Sequence, residues 1–271
     1  MTRSPLRWAG SKRGLLPAIR TMVPPRIGRY IEPFMGSACV YFDLLPDKAV
    51  LSDLNFELVQ FFRQLRDHPE SVADAFNAMD SSGDAYYELR AMVPADLDAS
   101  VRAARFLYLN RFAFNGVYRT NRRGEFNVPR GVRTGAPPNT AELLEVSRLL
   151  RNVRIENHDY LQVTSEAQAG DFVYLDPPYR NTDRETYGEY GYGMFGSEGD
   201  VATLAQELRR LDQTGANVLL SFNDDGELLA AIEHWTIVRI NRRRSVAGSA
   251  TARTALAGEI LAHNFAVVGN G

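Results

Sequence analysis

Apolar positions fall into short dense runs at residues 30–32, 49–52, 153–156, 172–175, 218–222, 236–240 and 260–265, the pattern of strands buried on both faces. Between several of these runs the spacing lengthens to three or four, at 38–45, 142–150 and 200–212, as in a helix with one buried side. Strands that alternate with helices predict a parallel sheet covered by those helices, because parallel neighbours need a long crossover. From about 57 to 140 the strand signal disappears. Helical periods at 58–65, 69–79, 85–92 and 99–109 take its place and lead into an Arg-rich loop. The pattern therefore predicts an α/β domain of residues 1–56 and 141–271, interrupted by a helical insertion at 57–140.

Composition narrows the class. A chain of 271 residues with 45% hydrophobic and 24% charged positions has enough apolar surface for a large core, which excludes a disordered protein. No run approaches the length of a membrane span, and the start lacks the apolar centre of a signal peptide, so a cytoplasmic location without membrane contact is expected. The one cysteine, Cys39, permits no internal disulfide, and four scattered histidines give no metal-ligand spacing, so no metal is expected.

Charge is informative through its placement. The 31 basic and 33 acidic residues nearly cancel, yet residues 102–133 hold Arg102, Arg105, Arg111, Arg119, Arg122, Arg123, Arg130 and Arg133 against the single acid Glu125. A second basic stretch, 234–258, carries Arg239, Arg242, Arg243, Arg244 and Arg253 without an acid. Such patches on a near-neutral chain are either solvated faces or the footprint of an anionic partner, nucleic acid being the usual one.

The sharpest chemical signal is Asp176-Pro177-Pro178-Tyr179, directly after the apolar run 172–175. Ligands of open α/β sheets bind beyond the carboxyl ends of the strands, where this carboxylate falls. Two prolines stiffen the turn and leave their carbonyls unclaimed by local donors. Asp176 and the Pro177 carbonyl can jointly accept both hydrogens of a planar amino group, while Tyr179 offers a face for a base. Such acceptors localise the lone pair of a conjugated, poorly nucleophilic amine and orient it for attack. An ordinary strand-to-helix turn also uses Asp and Pro, but four specific residues behind a buried strand disfavour that reading.

A second constellation, Glu32-Pro33-Phe34-Met35-Gly36-Ser37-Ala38, joins a strand end to a helix through small residues that let a ligand approach the backbone. About twenty residues on, Asp53 ends the run 49–52, the position of an acid that holds a ribose. The spacing lacks the double-glycine fingerprint of dinucleotide binding, which suggests a nucleoside cofactor without pyrophosphate. Asp53 is alternatively a helix cap, although Asn55 is better placed for that.

The third block runs from Leu109 through Asn110, Arg111, Phe114, Asn115, Gly116, Arg119 and Asn121 to Gly124, Asn127 and Pro129. Aromatics interleaved with Arg and Asn suit stacking on bases and bonding to base edges, and the glycines suit a projecting hairpin. Phe106, Leu107, Leu109 and Phe112 read instead as packing residues.

These blocks, in this order after Leu6-Arg7-Trp8-Ala9-Gly10-Ser11-Lys12, resemble the Dam-like DNA adenine methyltransferases over nearly the whole chain. The resemblance implies a Rossmann-like S-adenosylmethionine-dependent methyltransferase sheet with an inserted DNA-recognition subdomain. It further implies methyl transfer from S-adenosylmethionine to the exocyclic amine of an adenine flipped out of double-stranded DNA, by a chain expected to act as a monomer. Trp8, Lys12, Glu32, Phe34, Gly36 and Asp53 would line the cofactor, with Asp159 and Tyr160 near its adenine. Asp176, Pro177, Pro178 and Tyr179 would hold the target base, with Asp176 also at the cofactor. Arg7, Arg111, Phe114, Asn115, Arg119, Asn121, Arg122, Arg123 and Pro129 would meet DNA, with Arg119 where relatives that read GATC set an Arg on guanine. Ala38 departs from the second glycine usual in the cofactor turn, and Arg7 from a frequent Lys. Residues 185–196, alternating aromatics with glycines, are expected to order over the flipped base, and Arg242 to Arg253 to hold phosphates.

Three rivals remain at this level. A protein methyltransferase acting on amides would begin the catalytic motif with Asn, which Asp at 176 speaks against. A ribosomal RNA adenine methyltransferase would use the same pocket, and a catalytically silent nucleic-acid-binding module could share the fold.

Overall fold

A computed structural model describes residues 4–121, 123–132, 134–178, 198–243 and 256–267. Tyr179, Arg122, the stretch 185–196, Arg244 and Arg253 lie outside the described residues.

Among the described residues seven strands form one sheet: β1 (Tyr30–Glu32), β2 (Ala49–Ser52), β3 (Val153–Glu156), β4 (Phe172–Leu175), β5 (Asn217–Asn223), β6 (Thr236–Arg243) and β7 (Leu256–His263). Their order is β3-β2-β1-β4-β5-β7-β6. Strands β1 to β5 pair in parallel, but β7 runs antiparallel to β5 and to β6. The wholly parallel sheet expected from the alternation is thus corrected at one edge, where no helix separates β6 from β7 among the described residues. Apolar runs report burial and not direction, which is why the pattern missed the reversal.

Several helices have starts that are readable locally. Asn55 caps α3 (Phe56–Asp67) by accepting from the Leu58 N–H, and Asn139 and Glu142 close a capping box on α7 (Thr140–Leu150). Between them lie α4 (Pro69–Asn77), α5 (Gly83–Ala91) and α6 (Ala99–Phe112), all within the span expected to be helical. The helices α1 (Leu16–Arg20), α8 (Tyr160–Thr164) and α10 (Gly226–Ala231) were not expected, being too short to display a period. The remaining two are α2 (Cys39–Leu44) and α9 (Glu198–Thr214).

Side chains of successive strand residues enter opposite cores. Tyr30, Ala49, Leu51, Phe172, Tyr174 and Leu219 face the helices α2 to α7, while Ile31, Val50, Val173, Leu175, Val218 and Leu220 face α8, α9 and α10. The sheet is therefore covered on both sides. Phe106, Leu107, Leu109 and Phe112 are buried in the first of these cores, as expected of packing residues.

The chain runs outward from β1 to β2 and β3 on one side, then returns to lay β4 and β5 on the other. The crevice beyond the carboxyl ends of β1 and β4 is the point where the strand order reverses, and open sheets of this kind receive ligands there.

Candidate active site

Asp176 emerges from β4 at that crevice and meets Lys12, whose Nζ stands 2.6 Å from Oδ1 and 2.9 Å from Oδ2. Lys12 also donates to the Gly10 carbonyl at 3.0 Å and lies 3.5 Å from Oε1 of Glu259 on β7. All three side chains are largely buried, with 7%, 18% and 12% exposure for Lys12, Asp176 and Glu259. Burial pushes Asp176 up to about 6 against the pull of Lys12, and Glu259 adds to the rise. For Lys12 burial acts downward, but Asp176 and then Glu259 outweigh it and hold the ammonium above its usual value. Pro177 is buried and Pro178 half-buried, so the turn carrying the carboxylate is fixed by packing as well as by ring closure.

The small-residue turn after β1 is the second wall. Gly36 adopts φ +45, and a Cβ there would stand 2.8 Å from the Trp8 ring, so glycine is required by conformation and by space. Its N–H donates to Asp53 Oδ2 at 3.0 Å, while Asp53 Oδ1 accepts from the Asn55 N–H at 2.9 Å. Burial nevertheless lifts Asp53 to about 6. Asn55, not Asp53, caps α3, so the capping alternative for Asp53 falls away. Ala38 sits at φ 51, the left-handed region that glycine occupies without penalty.

Phe34 and Tyr160 approach to 5.2 Å between ring centroids and complete an aromatic flank at the ends of β1 and β3. Asp159, expected beside them, accepts from the Leu161 N–H and closes a capping box with Gln162, so its local task is to start α8. Glu32 is 2% exposed and takes the Tyr30 hydroxyl at 2.9 Å. Burial drives it to about 8, with the Tyr30 bond opposing. Glu32 ends β1, directly ahead of the small-residue turn.

Trp8 joins this wall to the insertion, stacking on Tyr118 at 5.9 Å with Gly36 close to its ring. Next to it, the Arg7 side chain reaches the Arg111 and Thr134 carbonyls at 3.4 Å. Arg111 donates to the Ala136 carbonyl, and burial lowers its ordinarily very high pKa. The expected hairpin is present: Thr120 bridges Phe126, and Gly124 at φ +79 turns the chain. Asn121 Oδ1 accepts from the Arg123 and Glu125 N–H groups, so this residue shapes the turn. Arg119 donates through Nε to Asn127 at 2.8 Å, and Arg123 is exposed. Phe114 is 54% exposed, Asn115 beside it holds φ 55, and the exposed Pro129 accepts from the Phe114 N–H. Of the residues expected at a cofactor, Trp8, Gly36 and Asp53 meet at one turn, Lys12 meets Asp176, and Phe34 meets Tyr160; of those expected at DNA, the described ones other than Arg7 lie on the insertion.

Sequence reasoning missed Glu259, Asn110 as a structural tie, and Tyr118 as the platform for Trp8. An acid directly ahead of the apolar run 260–262 was the available signal for Glu259. Among the described residues no cluster of three metal-ligating side chains occurs, and no helix is long and apolar enough to cross a membrane.

A seven-stranded sheet in this order with a carboxylate at its switch point has the fold of the S-adenosylmethionine-dependent methyltransferases. The family model for D12 class N6 adenine-specific DNA methyltransferases matches residues 8–246, and the chain belongs to that family. It is 33% identical to a type II methyltransferase of Lactococcus lactis subsp. cremoris over 96% of this chain and 94% of that one. A type II methyltransferase of Methanocaldococcus jannaschii is 32% identical, covering 89% and 91% respectively. A DNA adenine methylase of Serratia marcescens is 31% identical over 93% of this chain and 95% of its own length. The chain is an adenine-specific DNA methyltransferase.

Proposed function

We propose that this enzyme takes its methyl group from S-adenosylmethionine and receives the target adenine extruded from duplex DNA. The observation that carries the reading is Asp176, a buried carboxylate on a proline-stiffened turn at the crevice where the strand order reverses. Adenine N6 is committed to pairing inside the duplex, so a pocket at this depth requires the base to leave the stack.

The donor set fits the cofactor. The cradle at Gly36 admits no side chain, Asp53 offers a carboxylate to ribose hydroxyls, and Phe34 with Tyr160 offers rings to a purine. Trp8 and Lys12 supply the remaining wall. When bound, the cofactor contributes a methyl on a positively charged sulfur. Asp176 and the Pro177 carbonyl accept from the adenine amine and aim its lone pair; Asp176 orients and need not act as an early base, since the leaving group departs without protonation. Tyr179 would stack on the base. Glu32 at the end of β1 and Asp159 at the start of α8 would complete the surroundings of the cofactor.

Residues 57–140 form the recognition insertion within a catalytic domain of 1–56 and 141–271. Phe114 and Asn115 enter the duplex beside the vacated position, Arg119 reads a guanine edge, Arg7 bears on the outer base pair, and Arg111, Asn121, Arg122, Arg123 and Pro129 shape or contact the DNA side.

The deciding experiment is expression in a host lacking adenine methylation, followed by mapping of modified adenines. Methylated adenines in one short motif support the reading, and GATC is the motif expected. Asp176→Ala should bind S-adenosylmethionine and transfer nothing; retained turnover defeats the role given to Asp176.

A further inference from the structure

The helix α8 is a single short turn, and a helix of that length has almost no stability of its own. It is nevertheless pinned at both ends. At its start Asp159 and Gln162 close a capping box, and at its end the Thr164 carbonyl accepts from Arg210 Nη2 on α9 at 2.7 Å. The Thr164 hydroxyl donates to Glu207 Oε1 on α9 and lies 2.8 Å from the Tyr160 carbonyl. Glu207 is held in turn by Arg210, which donates to it through Nε at 2.8 Å and Nη2 at 2.6 Å.

A buried carboxylate carries a desolvation penalty, and Glu207 is 6% exposed with Thr164 fully enclosed beside it. Holding the two helices together does not require this, because Val163, Leu204 and Leu208 already share one apolar core. What the polar knot adds is direction: hydrogen bonds depend on angle as well as distance, so they fix how the turn is rotated. That rotation sets the first residue of α8, Tyr160, whose ring meets Phe34 at 5.2 Å. Burial, followed by the charges of Asp159, Glu207 and Asp200, raises the Tyr160 hydroxyl, so the ring stays neutral and Glu207 is within electrostatic reach of it.

We propose that Glu207, acting through Thr164, positions the Tyr160 ring against the purine of the cofactor and so sets the affinity for that half of the molecule. This rests on the S-adenosylmethionine reading. Glu207 is a positioning residue, because its oxygens are taken up by Thr164 and Arg210 and it acts through the turn that carries the ring. Without it the turn rotates and the purine loses one flank. Methyl transfer from bound cofactor is untouched, since Asp176 is carried by β4 and its proline-stiffened turn.

The test is titration calorimetry of the full chain with S-adenosylmethionine and with methylthioadenosine, which keeps the purine and ribose but lacks the amino-acid end. Glu207→Met should weaken both ligands about five-fold, the worth of one aromatic contact. Glu207→Gln, which still accepts from Thr164, should bring both back to within about two-fold of wild type. In a Tyr160→Leu background Glu207→Met should add less than about two-fold, because the ring through which it acts is gone. KM for the cofactor should rise while kcat at saturating cofactor stays the same. No loss of affinity, equal loss in both backgrounds, loss confined to S-adenosylmethionine, or a fall in kcat at saturation overturns the proposal and leaves Glu207 a tie between helices. If Glu207→Met does not fold, Thr164→Val removes the link to the turn, keeps the Glu207–Arg210 pair and is read the same way. Wild type that does not bind S-adenosylmethionine defeats the cofactor reading itself, a result distinct from equal loss in both backgrounds.

Discussion

The side-chain amide of Asn110 takes both main-chain groups of Arg7, accepting from its N–H at 2.8 Å and donating to its carbonyl at 2.5 Å, across 103 residues of sequence. Asn110 is 1% exposed, so neither Arg7 group has water as a ready substitute. Asn110→Ala should lower the unfolding free energy by about 2–3 kcal/mol, the cost of leaving two such groups unmet. Asn110→Asp keeps an acceptor but sets a carboxylate against the Arg7 carbonyl, and should cost at least as much. Urea unfolding measures both; a loss below about 0.5 kcal/mol for Asn110→Ala would mean the tie is dispensable.

Glu32 predicts a pH dependence with a definite sign. Its folded value is raised to about 8 from 4.5, chiefly by burial, so the folded state holds the proton more tightly than the unfolded chain. The stabilisation this gives is complete below pH 4.5 and is lost as pH rises toward 8. Gln at this position still accepts from Tyr30 but has no proton to lose. The stability of Glu32→Gln relative to wild type should therefore grow by about 2 kcal/mol or more between pH 5 and pH 8. Asp53 and Asp176, both raised to about 6, act with the same sign in both proteins; each also repels the Glu32 carboxylate, so part of the difference reads that coupling. A gap that stays constant with pH would show that Glu32 does not titrate this way.

Ala38 holds φ 51 and is fully buried at the turn between Gly36 and α2. Left-handed backbone costs a residue with a Cβ about 1 kcal/mol, an expense that glycine avoids. Ala38→Gly should gain about 0.5–1 kcal/mol by thermal or urea unfolding, less the larger chain entropy of glycine in the unfolded state. Loss of stability would mean that the packing of the Ala38 methyl outweighs its conformation.

Phe114 is the exposed ring expected to enter DNA, and its 54% exposure separates folding from function. Phe114→Ala should leave stability within about 0.5 kcal/mol of wild type and cofactor affinity unchanged. Its kcat/KM on paired duplex should fall ten- to a hundred-fold, roughly the worth of one base stack. A duplex with the target adenine already mismatched should recover part of that loss, because less unpairing work remains. Equal losses on both duplexes would assign Phe114 to general DNA affinity.

Much of this architecture was legible because burial leaves a mark on composition. All seven strands coincide with dense apolar runs, and Asp176, Gly36 and Asp53 are recognisable by standing at strand ends where ligands bind. What the chain did not disclose are relations without a local period. The reversal of β7 depends on which neighbour it meets, α8 spans barely one turn, and Glu259 matters only because the register of β7 brings it toward Lys12. Likewise Asn110, which looks like a residue for reading bases, is consumed by the Arg7 backbone.

Trp8 lies between the Gly36 turn and Tyr118, while Gly116 presses on Arg7 so closely that a Cβ there would stand 2.5 Å from the Arg7 Cβ. The opening segment is thus a shared seam, fitted on one side to the sheet and on the other to the insertion. A chimera that exchanges residues 57–140 for those of a relative would keep a mismatched seam, and transplanting a new sequence preference would require importing residues 4–12 with it.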